Sequence, residues 1–327
     1  MTSGTHRFTI IPQGPFSLEE SAMFGFGQRH ATTFDGTMRL AFCVDGDGYS
    51  CQVGVAVSQD AAGAVHGEVT GEADLETVRT QVARVLSLDH DGREFVKIGE
   101  RDPVMARLLA AAPGLRPPLF YSPYEAAIWS VLSARRPAGQ MALVRDRLGE
   151  AHGRVFDVAG ERMAALPTPQ QMLGVASFEG IPEVKLRRMH GVAEAALRGD
   201  LDVERIRAME PEEAMRDLQR LDGIGPFYSA LIDIRATGHA DVLPENEPQA
   251  LALAGRLYGL GHDASPVEMR EIAERWRPFR TWATVLLRAA SSRIGESSTG
   301  GRYHLAGRSS EMPLAAEHGQ DLMGDEG

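Results

Sequence analysis

Only two cysteines, Cys43 and Cys51, occur in the 327 residues. The chain cannot supply a four-cysteine iron–sulfur cluster or zinc site, and both thiols read as inert groups in a reducing compartment rather than as a disulfide. Long hydrophobic runs are also missing. None reaches the roughly 20 residues that a bilayer-spanning helix needs, and Met1 to His6 shows no signal-peptide pattern. The expectation is a cytoplasmic protein with no membrane contact. His30, His66, His190, His239 and His262 show no His-x-x-x-His spacing, so no metal site is certain. No Gly-x-Ser-x-Gly elbow marks a serine nucleophile. Asp45-Gly46-Asp47-Gly48 lacks the closing glutamate of a calcium loop.

Lysine is almost absent, with Lys97 and Lys185 the only two among 34 basic residues. The positive charge is therefore arginine, which suits bidentate phosphate contacts. A net charge of −11 argues against indiscriminate nucleic-acid binding through a broad basic surface, yet leaves room for a local basic face.

With 43% hydrophobic residues the chain can bury a substantial core, and two domains are expected. Residues 8–11, 38–44, 49–57 and 66–70 are β-rich, and Asp45-Gly46-Asp47-Gly48 makes a hairpin turn between the second and third runs. A helix follows with Leu75, Val78, Val82, Val85 and Leu86 on one face. Residues 1–100 thus read as a small α+β domain. From Asp102 the pattern becomes helical, with starts at Ser122-Pro123, Pro167-Thr168-Pro169, Pro211-Glu212-Glu213 and Ser265-Pro266 and about eight to ten helices in all. Residues 101–290 read as an all-α domain, and 291–327, rich in Ser, Gly and acid, as a disordered tail. The fold class is α+β.

The stretch Leu218 to Ile232 reads as a helix, a two-glycine hairpin and a second helix. Gly223 and Gly225 are expected to supply the backbone freedom for close approach to a ligand, Pro226 opens the next helix, and the free amides there suit an anion. An acidic turn, Asp241 to Pro248, precedes a further helix. An ordinary packed corner is the bland alternative for the hairpin.

This hairpin and carboxylate resemble those of the helix-hairpin-helix DNA glycosylases. Leu115-Arg116-Pro117-Pro118, Ser122 to Ala126, Leu166 to Pro169, Phe178 to Pro182, Lys185, the hairpin, Asp241 to Pro248 and Trp276 to Ala283 follow in one order. That order resembles the bacterial 3-methyladenine DNA glycosylase II family over residues 102–290.

The resemblance implies a monofunctional glycosylase that removes alkylated purines from damaged double-stranded DNA in base excision repair. It assigns the DNA phosphates to Gly223, Ile224, Gly225 and Ser229, and implies a monovalent cation on the hairpin carbonyls with no other cofactor. Glu247 falls where the family carries its catalytic aspartate; the glutamate keeps the charge but reaches about 1 Å further, and displacement of that size can cost on the order of a hundredfold in rate. Phe227, Tyr228, Trp129 and Trp282 are candidates for the base pocket, with burial in the core as the alternative for the two tryptophans. Arg135 and Arg136 stand at the family's wedge position, to fill the gap or contact the backbone. No lysine lies in the hairpin or its second helix, so no Schiff-base lyase step is expected. A monomer is expected. A DNA binder without catalysis and a helical protein–protein module are the competing readings.

Overall fold

The computed structural model describes residues 6–24 and 33–294. Four strands, β1 (His6–Ile10), β2 (Thr37–Cys43), β3 (Gln52–Gln59) and β4 (Val65–Thr70), form one antiparallel sheet in the order β1-β4-β3-β2. Strand alternation turns Met38, Leu40, Phe42, Val53, Val55 and Val57 toward Val78 and Val82 of α2 (Leu75–Val85), where all are buried together. The carboxylate of Asp74 caps α2 by accepting from the Thr77 amide. Between β2 and β3 the chain turns at Gly46 and Gly48, both at positive φ, as the Asp-Gly pairs predict.

Two elements of this part were not evident in the sequence. A short helix, α1 (Leu18–Phe24), precedes β2. A hairpin of β5 (Val155–Val158) and β6 (Glu161–Ala164) interrupts the helical stretch and covers the other side of the sheet, with Ala41, Phe156 and Val158 buried together. Gly54 makes this approach possible, since a Cβ there would lie 2.7 Å from Val158 Cγ2.

The helices that follow α2 are α3 (Gly92–Val96), α4 (Ile98–Arg101), α5 (Pro103–Ala111), α6 (Pro123–Ser133), α7 (Ala138–His152), α8 (Pro169–Leu173), α9 (Glu183–Leu197), α10 (Val203–Arg207), α11 (Pro211–Leu218), α12 (Pro226–Ile232), α13 (Pro248–Leu257), α14 (Pro266–Ala273) and α15 (Arg280–Ile294). The starts expected at Ser122, Thr168 and Ser265 are capped by those side chains, each followed by proline. The expected helix number was low because five-residue helices such as α8 and α10 are too short to show a 3.6-residue period. α12 continues into a π-helical turn, Asp233–Thr237, which ends at Gly238 with φ 88°. α15 runs through 291–294, into the segment expected as tail; the remainder of that segment lies outside the described residues.

The helices bury two cores. Trp129, Leu132, Met189, Leu218, Ile224 and Ile232 belong to the first, which joins α6, α9, α11 and α12. Leu108, Ala254, Met269, Trp276, Trp282 and Leu286 belong to the second, which joins α5, α13, α14 and α15. Phe24 of α1 packs against both. The sheet is bolted to the first core by Glu125, whose Oε1 accepts from the Cys43 amide at 2.9 Å. No helix among the described residues is long and apolar enough to cross a membrane.

Candidate nucleic-acid interface and acid site

The hairpin between α11 and α12 closes when the Ile224 amide donates to the Leu221 carbonyl at 3.0 Å. Gly223 sits at φ +89°, which favours glycine, and a Cβ there would lie 2.9 Å from Arg188 Cδ, so the Arg188 side chain would have to shift. Gly225 departs from the sequence-based expectation. Its φ of −90° is open to any residue, and a Cβ there would meet no protein atom within 4 Å. Glycine at 225 therefore keeps the outer side of the hairpin bare instead of enabling a turn. Pro226 opens α12, so the first amides after it have no partner within the helix.

Ile224 is 3% exposed and anchors the hairpin in the first core, and its amide is spent on the Leu221 carbonyl that closes the hairpin. Ser229, assigned to phosphate binding by the resemblance, has its donors turned inward. It is fully buried, its hydroxyl donates to the Pro226 carbonyl and its amide to the Gly225 carbonyl, so both donors are used inside α12.

The four candidate aromatic residues do not converge. Phe227 is 44% exposed and stands edge-on to Tyr228 with ring centroids 5.2 Å apart. Burial raises the Tyr228 phenol above its ordinary pKa. Trp129 is buried in the first core and Trp282 in the second, where Phe95 and Phe279 pack on its ring and the Arg116 guanidinium lies 5.8 Å from it. Both tryptophans are core residues, which corrects their assignment to a pocket. Their apolar area is larger than any other side chain's, and burying it is their strongest contribution.

Glu247 is the N-cap of α13, and its carboxylate accepts from the Ala250 amide at 2.7 Å and the Gln249 amide at 3.3 Å. The loop before it is fixed to α14 and to the start of α15. Asp241 pairs with Arg277 at 3.0 Å and Arg280 at 2.9 Å, the Thr281 hydroxyl donates to the Val242 carbonyl, and Glu245 pairs with Arg270 at 2.7 Å. Asp241 and Glu245 are thus held in close ion pairs, whereas the cation facing Glu247 stands off beyond hydrogen-bond distance. Nη1 of Arg288 lies 4.0 Å from Glu247 Oε2, and the two side chains are 23% and 18% exposed. Arg288 Nε is buried without a hydrogen-bond partner. Sequence reasoning missed Arg288. The signal was an arginine directly after the apolar run Val285-Leu286-Leu287, all buried.

Arg135 and Arg136 are exposed on the turn between α6 and α7, and Arg135 adopts φ 56°, uncommon for a non-glycine residue. Lys185, in the first turn of α9, donates from Nζ to the carbonyls of Leu132 and Ala134 at 2.7 and 2.8 Å. It thereby closes the carboxyl end of α6, where a cation is favoured. Burial, then the neighbouring Arg136 and Arg188, brings its pKa down to about 8. Arg188, next on the same helix face, forms an ion pair with Asp222 of the hairpin at 3.1 Å. The wedge turn and the hairpin are therefore neighbours, whereas Glu247 and Arg288 stand on elements of the second core. Among the described residues no group of three or more His, Cys, Asp or Glu is arranged to hold a metal ion.

This architecture, an antiparallel sheet on a two-core helical body with a glycine hairpin and an acid-capped helix after it, is the helix-hairpin-helix DNA glycosylase fold. A 3-methyladenine DNA glycosylase from Archaeoglobus fulgidus superposes with a TM-score of 0.69 at 21% identity, over 88% of this chain and 98% of that one. MBOgg1, solved with a low-affinity DNA ligand, superposes with a TM-score of 0.66 at 16% identity, over 90% of this chain and all of that one. In sequence the chain resembles the bacterial 3-methyladenine DNA glycosylase II proteins. It is 28% identical over 183 residues to "DNA-3-methyladenine glycosylase 2" of Escherichia coli, covering 55% of this chain and 61% of the relative. It is 27% identical over 216 residues to "Probable bifunctional transcriptional activator/DNA repair enzyme AlkA" of Mycobacterium tuberculosis, covering 64% of this chain and 42% of the relative. The match thus spans less than two thirds of either relative's length. No family model matches the chain.

Proposed function

We propose that the chain is a monofunctional DNA glycosylase that removes alkylated purines of the 3-methyladenine type from duplex DNA in base excision repair. The observation that carries this reading is the pair of elements in one fold: a bare glycine hairpin, and a fixed carboxylate at Glu247 with an unsatisfied guanidinium beside it. In this scheme the amides around Gly223 and Gly225 hold a phosphate while one nucleotide is turned out of the duplex, at a cost of a few kcal/mol. A monovalent cation on the hairpin carbonyls belongs to the same proposal.

The C1′–N bond then breaks with its electron pair going to the base, and a water oxygen bonds to C1′. Glu247 stabilises the positive charge that grows on the sugar and takes the proton that the water loses. A base already cationic through alkylation leaves as a neutral molecule, so no general acid is required for its departure. Phe227 and Tyr228 are the aromatic faces nearest the hairpin for the displaced base. Without an amine in the hairpin, the product is an intact abasic strand. Damaged duplex is the partner of a monomer acting in the cytoplasm, at the nucleoid.

The test is mass-spectrometric identification of bases freed from methylated duplex by the wild-type protein and by Glu247→Gln. Release by the first and none by the second supports the reading. Tight duplex binding without release by either would favour a DNA binder, a role consistent with both carboxylate oxygens being engaged by the α13 cap.

A further inference from the structure

Helix α9 touches both turns that the glycosylase reading places against DNA, through residues on a single face. Lys185 holds the α6–α7 turn by two hydrogen bonds to Leu132 and Ala134. Arg188, three residues later and so on the same side, holds the hairpin by the ion pair to Asp222 and by packing its side chain against Gly223. The helix between these contacts is rigidly seated, with Leu186 and Met189 buried in the first core.

Neither lysine nor arginine is needed here for folding propensity. What the contacts do is fix a distance. The backbone grip and the side chains that would enter the duplex are set by one strut, and Arg135 is held in its left-handed conformation at the strut's end.

We propose that Lys185 and Arg188 are positioning residues that lock the wedge turn to the hairpin, so that gripping a phosphate places Arg135 at the base to be extruded. The inference rests on the glycosylase reading for the identity of the ligand. Neither residue touches the reacting bond; each acts through the turn it holds.

The test follows base extrusion directly, with duplex containing 2-aminopurine beside a stable abasic-site analogue, by stopped-flow fluorescence, alongside equilibrium binding to the same duplex. Lys185→Met should keep duplex affinity within about threefold, since the hairpin is intact, and slow extrusion by about tenfold or more, because small misplacements cost rate steeply. Lys185→Arg, which retains a donor for the two carbonyls, should restore extrusion to within about threefold of wild type. Arg188→Met should show the same split between affinity and extrusion, and it decides the matter if Lys185→Met fails to fold. Wild-type extrusion rates in Lys185→Met or Arg188→Met overturn the strut. A wild-type protein that extrudes normally but releases no base overturns the assignment of Glu247 and leaves the strut standing; one that binds without extruding overturns both.

Discussion

Arg288 Nη1 stands 4.0 Å from Glu247 Oε2, close enough for a strong field but too far for a hydrogen bond, and Arg288 Nε is buried with no partner. A guanidinium with unmade hydrogen bonds beside the acid is a donor awaiting an acceptor. We expect Arg288→Met to fold, because it removes an unsatisfied group and leaves the Glu247 cap intact. Its preference for damaged over undamaged duplex should fall by about tenfold, the equivalent of one lost charge-assisted hydrogen bond of about 1.5 kcal/mol. Competition binding with the two duplexes measures this; an unchanged ratio removes Arg288 from recognition.

The two hairpin glycines should separate on mutation. Gly223→Val forces a β-branched residue to φ +89° and against Arg188, which should lower stability by about 2 kcal/mol or more as well as weaken binding. Gly225→Val meets no protein atom and should unfold like wild type while binding all duplex sequences less well, since phosphate contacts carry no base information. Denaturant melts and binding to several sequences distinguish these outcomes. A sequence-selective loss in Gly225→Val would contradict the phosphate role.

Most of the scaffold was legible because its signals are local. Ser122, Thr168 and Ser265 announce α6, α8 and α14 through caps that need only three residues of context, and the Asp-Gly turn announces the β2–β3 hairpin. The β5–β6 hairpin was not legible, since four-residue strands show too few alternations to stand out, and its apolar residues match a partner sheet distant in sequence. At the site, the glycine pattern pointed to the hairpin, but Gly225 and Gly223 serve different ends that only backbone angles separate. Trp129 and Trp282 look alike in sequence as pocket or core, and packing alone decides for core. Arg288 carries no motif; its meaning comes from Glu247, brought to it by the folding of α13 against α15.

Lys185 gives the pH prediction. Its folded pKa of about 8 lies below the unfolded value, so it is charged below pH 8 and neutral above it while the unfolded chain stays protonated to about pH 10.4. Between those limits the unfolded state binds the extra proton, and this residue's contribution to stability rises with pH. Base extrusion should run the other way, slowing as pH passes through about 8, because the neutral amine is a weaker donor to the Leu132 and Ala134 carbonyls than the protonated one. Extrusion rates measured from pH 7 to 9 should show this step in the wild type and lack it in Lys185→Met. An identical profile in both would exclude the lysine as its source.

Arg116, within the Leu-Arg-Pro-Pro segment, is a structural counterpart. It is 1% exposed and donates to the carbonyls of Gln13, Pro15, Ser87 and His90, tying the chain after β1 to the helical body. Burial brings its pKa down to about 10, still well above neutrality. Arg116→Met should cost about 3 kcal/mol or more by removing four hydrogen bonds and orphaning the buried Ser87 carbonyl, read as a lower urea midpoint. A midpoint within error of wild type would show that the carbonyls find other donors.

The most direct measurement is the release of free 3-methyladenine from methylated duplex by wild type and Glu247→Gln, quantified by mass spectrometry with DNA affinity measured in parallel. The account predicts that the wild type releases the base and that the glutamine variant binds equally well but releases none above background. Equal release by both proteins would contradict the role given to Glu247.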